Sequence, residues 1–193
     1  AAGMVALTEK YLKDGFNQGL DKSSVVILGG TGPVGVASAV ICAKAGANVR
    51  LVGRSIEKAE KTAAICNDRY QSKNVVAGAD ADKQDYLNNA DIVLNTGAAG
   101  IQLMSDENIQ MSSNLKICAD TNAVPPSGIA GVDVMDSGKI MEKSPNKCRG
   151  IGALAIGNVK YKSQHECLKL MYTSDDPVYL DFEDAFKFAQ KSV

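Results

Sequence analysis

The sequence predicts an α/β protein, with a doubly wound parallel sheet and helices on both of its faces. Three observations carry that reading. The apolar run Val25-Val26-Ile27-Leu28 breaks into Gly30-x-Gly32-x-x-Gly35, and a helical pattern follows at once. A second strand-like run, Val49 to Val52, returns roughly twenty residues later, which is the spacing of a Rossmann-like β-α-β unit. Beyond it, short apolar runs and helical patterns keep alternating, and such a chain closes into one parallel sheet through right-handed crossovers.

Residues 1–14 place Met4, Val5, Leu7, Tyr11 and Leu12 at helical spacing, and Gly15 is expected to end that helix. Residues 15–24 read as a polar loop. The first strand is 24–29, and its helix runs over 33–45 to Gly46. The second strand is 48–53. Ser55 is placed to cap a helix over 56–70 by accepting a backbone N–H of its first turn. A short third strand over 74–77 leads to a short helix between Asp80 and Asn89. The fourth strand, Asp91 to Asn95, ends in Thr96-Gly97-Ala98-Ala99-Gly100, with helical turns over 101–110. The fifth, Lys116 to Asp120, runs into Thr121-Asn122-Ala123-Val124-Pro125-Pro126. Residues 127–150 are rich in Gly, Asp, Ser and Lys and hold at most one short strand pair. Ile151 to Gly157 reads either as a strand with a turn or as a glycine-rich lead into a helix over 158–172, which Pro177 keeps from continuing. An amphipathic helix over 181–191 is the last element.

At 193 residues the chain is one full domain with some extra length, and it can bury a sizeable core. A net charge of −1 offers no basic field, so neither nucleic acid nor a membrane surface is an expected partner. No apolar run reaches the roughly 18 residues of a membrane-spanning helix, and no cationic-then-apolar leader is present. The chain opens with Ala-Ala-Gly rather than Met, which leads us to expect that an upstream piece has been removed. Its five cysteines show no C-x-x-C pair. Cys42, Cys66, Cys118 and Cys167 fall in strand-like or helix-like patterns and are expected to be small buried hydrophobes, with Cys148 exposed in a polar loop. A reducing cytoplasm is the simplest setting. The single histidine, His165, lies between Gln164 and Glu166 on a polar helical face. It can assemble no zinc set and no Ser-His-Asp triad, so no metal is expected.

The glycine run states its chemistry directly. A strand ends, the chain turns, and a helix N-terminus with free N–H groups faces whatever lies above the sheet, which favours a phosphate. In the motif, Gly30 is expected to permit the turn, Gly32 to let a pyrophosphate approach the backbone, and Gly35 to pack helix on strand. At the end of the second strand, Gly53-Arg54-Ser55 carries no acid to hold a ribose 2′-hydroxyl; the first acid is Glu57. Arg54, beside the Ser55 hydroxyl and one turn before Lys58, matches a 2′-phosphate instead, so NADP is expected over NAD. Beyond the other strand ends, Thr96-Gly97-Ala98-Ala99 would let a flat cofactor lie against backbone. Asp120-Thr121-Asn122 reads either as a polar rim for a substrate or as a turn closing the strand. The glycines from Gly152 to Gly157 would leave space for a nicotinamide ring, with Lys160 just beyond them; a solvated Lys160 is the alternative.

With those residues in view, the chain resembles the NADP-dependent methylene-tetrahydromethanopterin dehydrogenases of methylotrophic bacteria and, more distantly, the methylene-tetrahydrofolate dehydrogenases. The resemblance rests on Gly30-Thr31-Gly32-Pro33-Val34-Gly35, Gly53-Arg54, Thr96-Gly97-Ala98, Ala119-Asp120-x-Asn122-Ala123-x-Pro125-Pro126-x-Gly128-Ile129-x-Gly131-x-Asp133 and Gly152-Ala153-Leu154-x-Ile156-Gly157-x-x-Lys160. It covers nearly the whole chain. It implies that Arg54 holds the 2′-phosphate, Thr31 with Pro33-Val34 wraps the pyrophosphate, Thr96 to Ala99 and the 152–157 segment flank the nicotinamide, and Lys160 faces the pterin. Asn122 is carried over to the cofactor site as well. The implied reaction is direct hydride transfer from the methylene carbon of a reduced pterin, a tetrahydromethanopterin or tetrahydrofolate derivative, to NADP. The methenyl product is a resonance-stabilised cation, so positioning rather than acid–base work carries the rate.

Family members also carry an N-terminal substrate domain before the dinucleotide domain, and they self-associate, so a homo-oligomer is expected. On this reading residues 1–15 are the linking helix, 16–175 the NADP-binding domain, and 176–193 a helix returning toward the missing N-terminal domain. Two alternatives stand beside it: a different two-domain NADP dehydrogenase resembling shikimate dehydrogenase, and a non-catalytic NADP-binding domain.

Overall fold

The computed structural model describes residues 1–193. In chain order the elements are α1 (Ala2–Phe16), β1 (Ser24–Leu28), α2 (Pro33–Lys44), β2 (Asn48–Gly53), α3 (Ile56–Tyr70), β3 (Val75–Ala79), α4 (Lys83–Asn88) and β4 (Ile92–Asn95), followed by α5 (Asp106–Met111), β5 (Ile117–Asp120), β6 (Ser137–Ile140), β7 (Arg149–Ile151), α6 (Ala153–Thr173) and α7 (Phe182–Lys191). The seven strands make one sheet in the order β3-β2-β1-β4-β5-β7-β6. All neighbours are parallel except the edge pair β6 and β7. The doubly wound sheet read from the sequence is therefore the observed architecture. Its winding reverses at β1, whose Val25 pairs with Val49 on one side and Ile92 on the other.

The core follows from the two-residue period of the strands. Val25 and Ile27 point to one face, with Leu51, Leu94 and Ile117, and meet Met4, Val5 and Leu12 of α1, Ala39 and Val40 of α2, and Ile156 and Val159 of α6. Val26 and Leu28 point to the other face, with Val93 and Cys118, and meet Leu87, Ile109, Ile129 and Met141. Both faces are covered, which is why the central strands read as unbroken apolar runs rather than alternating ones. Helix α1 packs on α2, α6 and α7.

Three local expectations are corrected. Helix α1 does not stop at Gly15 but runs to Phe16, and the stop is Asn17 at φ 49, whose N–H bonds to the Lys13 carbonyl. Gly15 is a packing glycine: a Cβ there would fall 2.7 Å from Nε of Arg149. Residues 101–105 are not helical. Leu103 and Met104 donate to the Gly128 carbonyl and Met104 bridges Ile129, so helix begins only where Ser105 and Asn108 cap each other reciprocally. Helix α6 starts at Ala153 rather than 158. Gly152 is its N-cap, and a Cβ there would lie 2.0 Å from the Asp133 carbonyl oxygen, so the chain can enter the helix only through a glycine.

The cysteines also exchange places. Cys148 is fully buried and Cys167 is partly exposed. Cys148 immediately precedes β7 and packs in the second core beside Met141 and Cys118, whereas Cys167 lies on α6 outside both core clusters. Burial pushes the Cys42 thiol up to about 12 and the Cys66 thiol up to about 11, and it raises Cys148 as well. All three behave as small hydrophobes rather than nucleophiles. No helix is long and apolar enough to cross a membrane.

Candidate functional site

The site lies beyond the carboxyl ends of β1, β2 and β4, at the point where the sheet's winding reverses. Its geometry is set by glycines with different tasks. Gly29 has φ +65, and a Cβ there would lie 2.5 Å from Cα of Gly97, so both the backbone turn and the contact between the two loops demand glycine. The sequence reading assigned that turn to Gly30. Gly30 is buried instead, its N–H held by the Val52 carbonyl. A Cβ on Gly35 would meet the Gly30 carbonyl oxygen at 2.2 Å, so Gly35 sets how closely α2 approaches the turn, as expected. Gly32 has open space where a Cβ would be. It caps α2 without a side-chain acceptor, which leaves N–H groups of the first turn free for an anion.

A cleft of about 290 Å³ opens above this turn, lined by Thr31, Gly32, Gly53, Arg54, Lys58, Thr96, Gly97 and Ala98 among the expected residues. It runs beside a polar recess lined by Thr31, Arg54, Ser55 and Lys58 alone. Neither Arg54 nor Lys58 has a carboxylate partner. Two unpaired cations thus converge on one small space at the tip of β2. Ser55 does less than expected for a ligand. Its hydroxyl accepts the Lys58 N–H at 3.2 Å, capping α3, and donates to Oε2 of Glu57 at 2.6 Å. That bond holds the Glu57 carboxyl below its ordinary range. Thr96 donates its hydroxyl to the Leu28 carbonyl at 3.2 Å, which ties the β4 loop to the β1 turn.

Other expected residues lie elsewhere. Pro33 begins α2 on its exposed side, and Ala99 is exposed and does not line the cleft. Asn122 does not line the cleft: it is buried, its Oδ1 accepts from Gly100 and Val124, and its Nδ2 donates to the Pro126 carbonyl. Asp120 is turned inward too. Its Oδ1 accepts from Nδ2 of Asn95 at 2.7 Å and from the Asn122 N–H at 2.9 Å, and its Oδ2 accepts from the Ile129 N–H at 3.0 Å. Asn95 in turn accepts the Gly97 N–H at 3.0 Å. Asp120 and Asn122 therefore brace three loops rather than form a polar rim, because every polar atom of their two side chains is spent on backbone or on Asn95, and only Thr121 between them reaches a groove wall.

Gly157 is corrected as well. It lies within α6, not in a loop, and opens onto a second, mostly apolar groove of about 590 Å³ that includes Val34, Thr121, Leu154 and Lys160. Val34, on the first turn of α2, stands beside the glycine turn and so places this groove next to the cleft above that turn. A Cβ on Gly157 would meet nothing within 4 Å, so the groove is open there, and Lys160 is exposed and has no ion-pair partner.

Sequence reasoning missed Gly29, Asn95, Asp80, Ile101 and Leu103. Asp80, Ile101 and Leu103 line the cleft. Asp80 follows directly on β3, and ending that strand at residue 77 hid its place at a strand tip. Ile101 and Leu103 were hidden by reading their extended segment as helix.

A glycine turn at the sheet's reversal point, free helix amides above it and two unpaired cations at the tip of the second strand define a dinucleotide-binding domain of the Rossmann class. The chain is 37% identical over 191 residues to the NAD(P)-dependent methylenetetrahydromethanopterin dehydrogenase of Methylorubrum extorquens, across 97% of this chain and 64% of that protein. It is 38% identical over 149 residues to the bifunctional protein MdtA of the same organism, across 76% of this chain and 50% of that protein. The chain is thus homologous over nearly all its length to a methylenetetrahydromethanopterin dehydrogenase, as its motifs led us to expect, and it spans less than two thirds of the length of these relatives. No protein-family model matches it. Among solved structures it superposes on the quinate dehydrogenase of Corynebacterium glutamicum in complex with NAD, with a TM-score of 0.59 at 16% identity over 100% of this chain and 62% of that one. It also superposes on the glutamyl-tRNA reductase of Methanopyrus kandleri, with a TM-score of 0.60 at 13% identity over 98% of this chain and 42% of that one. These two likenesses establish the fold.

Proposed function

We propose that this chain is the NADP-binding, C-terminal part of a methylene-tetrahydromethanopterin dehydrogenase, with methylene-tetrahydrofolate as the alternative carrier. The observation that carries the cofactor reading is the convergence of Thr31, Arg54 and Lys58 on the recess at the tip of β2, in a chain homologous to an NAD(P)-dependent enzyme. A guanidinium and an ammonium with no carboxylate of their own are matched to a 2′-phosphate. The free amides at the start of α2 suit the pyrophosphate, and the open position at Gly32 lets it come close. When bound, the nucleotide supplies the hydride acceptor of the reaction.

The neighbouring apolar groove fits a flat reduced pterin, and Lys160 on its wall would orient the polar edge of that ring. No general base is required by a reaction whose product cation is resonance-stabilised. The chain's contribution is to hold two ligands face to face, which is where most of the rate comes from. On this reading residues 16–175 form the cofactor domain, 1–15 link it to a substrate domain, and 176–193 return toward that domain.

The test is a calorimetric or fluorescence titration with NADPH and NADH. Arg54→Ala is expected to weaken NADPH binding at least about tenfold, about 1.4 kcal/mol, and to leave NADH binding nearly unchanged. An equal loss for both nucleotides would sink the 2′-phosphate role. In a chain carrying its substrate domain, Lys160→Ala is expected to lower turnover of the methylene-pterin and leave NADP affinity nearly intact. A fall in NADP affinity instead would make Lys160 a cofactor ligand.

A further inference from the structure

We propose that Glu57 is a cofactor-discriminating residue, which holds a carboxylate against the 2′-phosphate recess and so moderates the preference for NADP over NAD. The inference rests on the cofactor reading above and deepens it. The recess has four walls: Thr31, Arg54, Ser55 and Lys58. The Ser55 hydroxyl has one proton, and Glu57 takes it in a 2.6 Å bond. One of its lone pairs is used by the Lys58 N–H at 3.2 Å. A hydroxyl on the wall of a recess shared with two cations is thus already committed elsewhere.

The charge balance points the same way. Arg54 and Lys58 bring two positive charges to the recess, and Glu57, one hydrogen bond from its wall, offsets one of them. Glu57 has no cationic partner that would neutralise it, and the Ser55 bond keeps it ionised. A phosphate monoester carries about −1.5 to −2 near neutral pH, so it feels that carboxylate strongly. A neutral ribose 2′-hydroxyl does not. The residue therefore weakens binding of the phosphorylated cofactor and leaves the unphosphorylated one nearly untouched.

Glu57 sits on the exposed first turn of α3, where its replacement leaves the core alone. The experiment titrates wild type, Glu57→Gln and Glu57→Ala with NADPH and with NADH at low ionic strength, with Glu60→Gln, an exposed carboxylate further along the same helix, as the control for general charge. The NADPH-to-NADH affinity ratio is expected to rise about threefold in Glu57→Gln, the size of one unscreened charge several ångströms away in water. It should rise further in Glu57→Ala, which also frees the Ser55 hydroxyl, and stay put in Glu60→Gln. An unchanged ratio in both Glu57 variants, or an equal rise in Glu60→Gln, overturns the role of Glu57 while the cofactor reading stands. A wild-type chain that binds neither nucleotide overturns both.

Discussion

Replacing Asp120 by alanine is expected to destabilise the chain by about 3–5 kcal/mol, because it leaves three buried donors without an acceptor, each worth about 1–3 kcal/mol. Those donors are Nδ2 of Asn95, the N–H of Asn122 and the N–H of Ile129. Asp120 is 1% exposed and Asn95 0%, so water can replace the carboxylate only by opening the loops. In a domain of this size each kcal/mol lowers Tm by about 2–4 °C, so a fall of roughly 6–20 °C is expected in thermal unfolding. Asp120→Asn should recover only part of it: an amide can accept on one side, but its NH₂ faces an N–H donor on the other. The functional echo is indirect. Asn95 holds the Gly97 amide and Asn122 the Gly100 amide, so the β4 loop that lines the cleft loses its anchor. A destabilisation below about 1 kcal/mol, inside the range of an ordinary surface change, would show that the brace is not what holds these loops.

The second large effect is expected at Gly35→Ala. A Cβ there would lie 2.2 Å from the Gly30 carbonyl oxygen and 2.5 Å from the carbonyl carbon and Cα of the same residue. All three are backbone atoms in a turn that is itself pinned to Val52, so none can rotate away as a side chain could. Helix α2 must move off the turn by about 1 Å, and overpacking of this kind costs about 1–3 kcal/mol or more. Because the amides at the start of α2 move with it, NADPH and NADH should both weaken, by at least about tenfold. That pattern differs from Arg54→Ala, which should separate the two nucleotides. Gly32→Ala is the internal control: its Cβ would meet nothing within 4 Å, so stability should change by less than about 0.5 kcal/mol. Urea unfolding together with nucleotide titration would decide the matter. Equal stability losses at positions 32 and 35 would contradict the packing role of Gly35.

Much of the site was legible because its chemistry is local. The strand-to-glycine-to-helix sequence from Val25 to Gly35 announces the phosphate turn in eleven consecutive residues. Arg54 and Lys58 are one helical turn apart, so their convergence follows from helix geometry once Ser55 is recognised as the cap, and β2 and α3 have the predicted limits. What failed was non-local. That Asn122 and Asp120 point inward depends on Gly100, Pro126 and Ile129 arriving beside them, and nothing within the 120–122 segment says so. The burial of Cys148, in a polar stretch of sequence, depends likewise on Met141 and Cys118 closing over it.

By itself, then, the amino-acid order determined the parallel sheet, the glycine turn and the cationic tip of the second strand, since each is written in neighbouring residues whose periodicity or conformational freedom needs no distant partner. Only the tertiary structure decided which glycine bends the chain, which polar side chains brace the loops rather than face the cleft, and that Gly157 and Lys160 line a groove beside Val34. Those outcomes depend on atoms far apart in sequence competing for the same few ångströms and the same hydrogen bonds, and that competition is settled only when the elements pack.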